Sequence, residues 1–188
     1  MEVTVHYFEQ PGPQNTETTL QAALQRARAL GIRQVVVASS HGKTALRAQE
    51  LFGPEGIRVI AVSICHGFED VGWTMTPEER QKVEAAGVTV ITGIHALGDD
   101  VSSAFSEKYG GRAPNEIVRS TLYCFSQGTK VAIEVALMAA DAGLLDMDQD
   151  VIAIAGTDSG ADTALVLTPA YPRKFLDLRV REIIAKPR

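Results

Sequence analysis

The sequence predicts an α/β domain built on a mostly parallel, buried sheet, and three observations carry that expectation. Short apolar runs such as Gln34-Val35-Val36-Val37-Ala38 alternate with longer segments of helical period. The runs are continuously apolar, the pattern of strands covered on both faces. Glycine and other turn residues separate one from the next. At 188 residues, with 45% hydrophobic and 22% charged side chains, residues 1–188 fit one domain. A domain of that size buries about 70% of the surface its unfolded chain exposes.

Taken in order, Val3 to Tyr7 is extended and runs into Gln10-Pro11-Gly12-Pro13. Thr16 to Leu30 carries Leu20, Ala23, Leu24, Ala27 and Leu30 at helical spacing and stops at Gly31. Gln34 to Ala38 is a central strand, Thr44 to Phe52 a helix, and Ile57 to Val62 a second buried strand, which makes one parallel βαβ unit. A long loop, Ser63 to Thr76, precedes a helix opened by Pro77-Glu78-Glu79 and closed by Gly87, then a strand from Val88 to Thr92. Asp99 to Tyr109 and Asn115 to Phe125 are weaker helical segments around Gly110-Gly111. Thr129 to Leu145 is a strong helix, and Asp150 to Ala155 with Ala161 to Thr168 form a terminal hairpin about the glycine-rich Gly156 to Gly160 turn. The basic stretch from Arg173 to Arg188 is interleaved with apolar residues, so its charges line a solvated face of a packed segment.

Several function classes are disfavoured. No window approaches the roughly 18 uninterrupted apolar residues of a membrane span, and the first residues lack the basic start and apolar core of an export signal. The cytoplasm is the expected compartment. Cys65 and Cys124 lack metal-site spacing and read as reduced thiols. A net charge of −5 with scattered Lys and Arg argues against nucleic-acid binding by counterion release. The acidic residues Glu69, Asp70, Asp99, Asp100, Asp146, Asp148 and Asp150 read as solvated loop positions.

Ligands of parallel sheets sit beyond the carboxyl ends of the strands, where strand order reverses and the flanking loops diverge. Ser39-Ser40-His41-Gly42-Lys43-Thr44 follows a buried strand and opens a helix, so its amides, hydroxyls and Lys43 suit an anion. The alternative is an ordinary helix start with Thr44 as cap and Lys43 solvated. The loop is not the nucleotide-binding G-x-x-x-x-G-K-[ST] pattern, which needs glycine where Val37 stands. Gly156, Thr157, Gly160, Ala161 and Asp162 belong to a second loop, whose glycines free the backbone to wrap a ligand or serve only the turn. Gly128 and Lys130, at the start of the strong helix, are a third candidate. His41, His66 and His95 each fall just beyond a strand and could converge as acid and base or on a metal, although loop histidines at that edge also arise by chance. Trp73 either covers the crevice or packs inside.

At Val35 to Ala45 and Arg58 to Val62 the chain resembles the C-terminal domain of pyruvate kinase. Tyr7-Phe8-Glu9, Val37-Ala38-Ser39-Ser40, Thr92-Gly93-Ile94-His95-Ala96-Leu97, Ser126-Gln127-Gly128 and Gly160-Ala161-Asp162-Thr163-Ala164 extend the likeness to the small stand-alone family of pyruvate-kinase-α/β-domain-like proteins. That resemblance implies a three-layer α/β/α sandwich with a mixed five-stranded sheet of order 3-2-1-4-5, its last strand antiparallel. It brings the two glycine-containing loops together at the reversal point. It further implies a phosphorylated ligand: a sugar bisphosphate, as in many pyruvate kinases, or flavin mononucleotide. The flavin phosphate would then lie on Ser39, Ser40, Gly42, Lys43 and Thr44, with Gly128, Lys130 and the Gly156 to Asp162 loop near the ribityl chain or ring. Asp158-Ser159 stands where the resemblance leads one to expect Gly-Arg. Pyruvate kinase activity is not expected, because the catalytic barrel takes about 250 residues. A homo-oligomer is the partner that the resemblance implies.

Overall fold

In a computed structural model that describes residues 2–188, seven strands form one sheet in the order β1-β7-β6-β5-β2-β3-β4. The strands are β1 (His6–Phe8), β2 (Gln34–Ala38), β3 (Arg58–Ser63), β4 (Thr89–Thr92), β5 (Val151–Ala155), β6 (Thr163–Thr168) and β7 (Arg179–Pro187). The helices are α1 (Thr16–Leu30), α2 (Lys43–Phe52), α3 (Pro77–Ala85), α4 (Val101–Tyr109), α5 (Pro114–Leu122) and α6 (Gln127–Asp141).

The five-stranded order expected from the resemblance is the contiguous run from the β4 edge to β6. β4, β3, β2 and β5 are parallel and β6 is antiparallel to β5. Two further strands correct the count: β7 pairs antiparallel with β6, and β1 pairs parallel with β7. The Arg173 to Arg188 stretch is therefore largely a strand. Its register against β6 shifts twice, between Ala164 and Leu165 and between Val166 and Leu167. Each shift breaks the two-residue alternation from which a strand is read. β1 is only three residues long and carries no period at all.

Alternation decides what each face of the sheet meets. Val35, Val37, Ile152 and Ile154 face α1, α2 and α3 through Leu20, Leu24, Ala45, Phe52 and Val83. Val36, Val151, Ala153 and Ala155 face α6 through Ile133, Ala136, Leu137 and Ala140, with Val118 and Leu122 of α5 packed behind. Twelve of the fifteen residues of α6 are buried, including Lys130 and Glu134. That makes α6 an internal helix, which is why its apolar signal is the strongest in the sequence.

Candidate functional site

β2 and β5 are neighbours, with Val37 opposite Ile154, so the loops that leave their carboxyl ends start about 4.8 Å apart. The reversal of strand order expected between them is present, since β3 lies on the far side of β2 and β6 on the far side of β5.

The loop after β2 is short and partly open. Ser39 is buried; its amide donates to Val62 O at 3.0 Å, and its Oγ accepts from Ala45 N at 3.2 Å. Gly42, not Thr44, is the N-cap of α2; it adopts φ +83° and supplies no side-chain hydrogen bond. A Cβ on Gly42 would come within 2.4 Å of Val83 Cγ2 on α3, so glycine is required both by φ and by packing. Thr44 is buried one residue inside the helix, whereas Lys43 is exposed and Ser40 half-buried. The Ser39 hydroxyl thus satisfies one amide of the first turn, and the exposed Lys43 stands at the positive end of α2.

His41 points to α3, with Nδ1 3.1 Å from Glu79 Oε2. Glu79 also closes the α3 capping box with Thr76, and these contacts, the Thr76 amide first and His41 second, hold its carboxyl below the ordinary range.

The loop after β5 is closed from within. Asp162 is fully buried, and its Oδ2 accepts from Gly12 N at 3.0 Å and Thr157 N at 3.1 Å while Thr163 Oγ1 donates to Oδ1 at 2.8 Å. Ala161 is fully buried and its amide donates to Thr16 Oγ1 at 2.9 Å. A Cβ on Gly160 would meet Thr16 Oγ1 at 2.4 Å and Pro13 Cα at 2.7 Å. Gly128 is just as tightly enclosed, with Thr163 Oγ1 2.2 Å from the place of a Cβ. Gly156 to Gly160 retain some exposure, with Asp158 and Ser159 the most open, whereas Ala161 and Asp162 are buried. Asp158 has φ +60°, the left-handed conformation that glycine takes without cost, so the Gly expected there has a backbone reason.

Lys130 lies below the surface on the α6 side, 2.5 Å from Glu134 Oε2, while Glu134 Oε1 accepts from Leu97 N at 2.9 Å. Its charge is spent on that buried pair. Beside it stands a cluster of His95, Asp99, Asp100 and Arg119, whose aspartates were expected at solvated loop positions. His95 Nδ1 is 2.9 Å from Asp99 Oδ2, and Arg119 of α5 is 3.6 Å from Asp99 Oδ1. The His95 contact is the main reason that the Asp99 carboxyl lies below its ordinary range, with Lys130 and Arg119 adding weaker attraction. Asp100 caps α4 through Ser103 N and accepts from Asn115 Nδ2. Lys130 and Glu134 are four residues apart on α6, the helical spacing that could have found that pair, whereas His95 and Asp99 lie in a loop where the same spacing carries no signal.

No hydrogen bond among the described residues joins His41, His66 and His95 to one another, although Cys65 N, beside His66, donates to His95 Nε2 at 3.4 Å. His41 pairs across to α3, His95 pairs with Asp99, and His66 is exposed on the loop after β3. Among the described residues no three or more His, Cys, Asp and Glu side chains group as metal ligands. Trp73 is 54% exposed instead of packed inside, and stacks on Phe68, whose other neighbour is the His95 ring at 5.9 Å. Cys65 and Cys124 are both free, and among the described residues no helix is long and apolar enough to cross a membrane.

Among solved structures, the chain is similar to Cryptosporidium parvum pyruvate kinase in complex with ADP, at 15% identity and a TM-score of 0.40 over 80% of this chain. It spans 22% of the length of that protein. The profile of the family described as pyruvate kinase, alpha/beta domain, matches residues 17–167. That span runs from the first turn of α1 to the end of β6 and takes in both loops at the reversal point. With four fifths of its residues matched, the chain belongs to the pyruvate kinase alpha/beta domain family.

Proposed function

We propose that this chain binds a phosphorylated small molecule at the carboxyl edge of β2 and β5, with flavin mononucleotide the first candidate. The observation that carries the reading is the start of α2, where Gly42 supplies no side-chain cap, Ser39 Oγ takes only the Ala45 amide, and exposed Lys43 and half-buried Ser40 stand alongside. First-turn amides, a helix dipole and an ammonium group together suit a dianionic phosphate. Gly156, Thr157, Asp158 and Ser159 would line the far side, where they meet sugar or ribityl hydroxyls. Gly160 continues that rim, and Ala161, Asp162 and Gly128 act behind it by holding the loop in place, while Lys130 stays paired with Glu134 on the α6 side. A bound flavin would supply redox chemistry, and the residues of the chain would bind and orient it. A sugar-phosphate regulatory module is the same reading with another ligand. Two free thiols suit the cytoplasm as its compartment.

The test is a visible absorption spectrum of the protein after addition of flavin mononucleotide and removal of free ligand, alongside Lys43→Ala. A retained flavin band, with affinity about tenfold weaker in the variant, is expected. Absence of a band, together with no heat of binding for ribose 5-phosphate, would sink the phosphate reading. Binding of ribose 5-phosphate alone would replace the flavin with a sugar phosphate.

One observation favours a second reading, a His-based small-molecule enzyme. The Asp99 carboxylate fixes the orientation of His95 through Nδ1, the arrangement by which a carboxylate prepares an imidazole as general base, and the long 3.4 Å contact from Cys65 N to Nε2 would have to open for that nitrogen to take a proton. Its test is a substrate screen in which His95→Gln abolishes any turnover found and the wild-type pH profile has an imidazole limb.

A further inference from the structure

The two ring nitrogens of His95 are held to different tasks. A backbone amide can only donate, so the 3.4 Å contact from Cys65 N makes Nε2 an acceptor. The ring proton therefore sits on Nδ1, which donates to Asp99 Oδ2 at 2.9 Å. Only the neutral imidazole satisfies both contacts. A proton taken from solvent onto Nε2 would set one N–H against another, and the Cys65 amide would lose its acceptor.

The segment that follows this amide has little else to hold it. Among the described residues, one hydrogen bond and one ring stack tie residues 65–73 to another segment, and both fall on His95: the Cys65 amide on Nε2, and the Phe68 ring with centroids 5.9 Å apart. The amides of Phe68, Gly72 and Trp73 close turns inside the segment, and Trp73 stacks on Phe68 at 5.5 Å. Val71 and Trp73 are exposed, and neither they nor Phe68 belong to the two apolar cores. Two residues further on, Met75 Cε lies 3.9 Å from the place of a Cβ on Gly42, so the segment returns past the start of α2.

We propose that His95 is a proton-operated latch on residues 65–73: neutral, it holds this flap beside the α2 start, and protonated, it lets the flap go. The surrounding charges fit that use. Asp99 is the partner an imidazolium needs, so the ring keeps its place when the Cys65 amide is lost. Arg119 of α5 stands beyond Asp99, and Glu134 of α6 neutralises Lys130. On the flap, His66, Glu69 and Asp70 are exposed and form no ion pair among the described residues. Beyond the flap, His41 faces Glu79 of the α3 capping box; acid strengthens that pair, so it tightens the far end and cannot account for release. The latch needs no ligand and no turnover, so its test is separate from the phosphate and enzyme readings.

The experiment is limited chymotryptic cleavage after Phe68 or Trp73 in the full chain, between about pH 7.5 and 5.5, the range in which an imidazole titrates. Each rate is divided by that of a free peptide spanning residues 64–76 at the same pH, which removes the pH dependence of the protease. Cleavage of a segment that opens and closes quickly follows its open population, and one lost hydrogen bond is worth about tenfold there. A rise of about tenfold in acid is expected for the wild type and for His66→Gln. His95→Phe keeps a ring against Phe68 but neither accepts from Cys65 N nor titrates, so its cleavage should be fast and independent of pH. Asp99→Asn, whose amide oxygen still accepts from Nδ1–H, should move the rise to lower pH. A wild-type ratio that does not change with pH overturns the proposal, as does a rise that survives in His95→Phe or disappears in His66→Gln. A rise left in place by Asp99→Asn would also reject His95 as the titrating group.

Discussion

The two glycine-containing loops at the carboxyl edge leave adjacent strands and are held by opposite means. The loop after β5 is tied inward: one buried carboxylate, Asp162, takes hydrogen bonds from Gly12, Thr157 and Thr163, and Gly160 is pressed against Pro13. The loop after β2 is tied at its base by Ser39 and at its flank by His41, which leaves Ser40 and Lys43 outward. Glycine thus marks close packing in both loops, at Gly160 against Pro13 and at Gly42 against Val83, and the loop after β2 differs in setting a cation, Lys43, outward at a helix start. The difference lies in whether a distant segment covers the loop, and residues 12–16 cover only the one after β5.

The largest effect that would sharpen this contrast is expected at Asp162. Asp162→Ala strands two amides and a hydroxyl in the interior and should cost about 3 kcal/mol or more, read as a lower denaturation midpoint. Equal stability would mean that the carboxylate does not hold the loop. Next comes Gly42→Ala, which combines a left-handed φ with a clash against Val83 and should cost about 2 kcal/mol. In a double-mutant cycle with Val83→Ala, the two changes should cost less together than their sum. Strict additivity would show that φ alone demands the glycine.

A smaller effect concerns pH. The folded Glu79 carboxyl titrates below its ordinary value because Thr76 N and His41 favour the charged form. Its contribution is therefore present above the ordinary carboxylate pKa and is lost as pH falls through the lower, folded value. Solvent around this partly exposed group keeps the contribution below about 1 kcal/mol. Glu79→Gln should lower the melting temperature slightly at pH 7, with the difference from wild type closing in acid. A difference that grows in acid would have the wrong sign for this account. Smallest for stability is Lys43→Ala, expected within about 0.5 kcal/mol because the ammonium group touches nothing that the fold needs. A large loss there would show that Lys43 supports the α2 start and is not a free cation.

Much of the fold is legible in local pattern. The β2, β3 and β5 runs are apolar throughout because both faces are covered, and α1 stops at Gly31, whose φ of +69° suits glycine at a helix end. β7 was not legible because two register shifts against β6 scramble its alternation. Asp99 and Asp100 read as solvated because nothing local reveals that His95, Arg119 and Asn115 turn toward them. At the site, the residues of the Ser39 to Thr44 loop were named, but their roles divided only in three dimensions. Ser39 and Gly42 serve the fold, while Ser40 and Lys43 remain outward.

By itself the sequence determined the alternation of strands and helices and the segments from which a crevice could be built, because periodicity and turn chemistry act over a few residues. Only the tertiary structure decided which glycine loop is open and which charges are spent. Asp162 is satisfied by Gly12, 150 positions away, and Lys130 loses its solvent when α6 is enclosed between the sheet and α5. Both outcomes depend on contacts between segments distant in the chain, and burial of a polar group is set by what covers it.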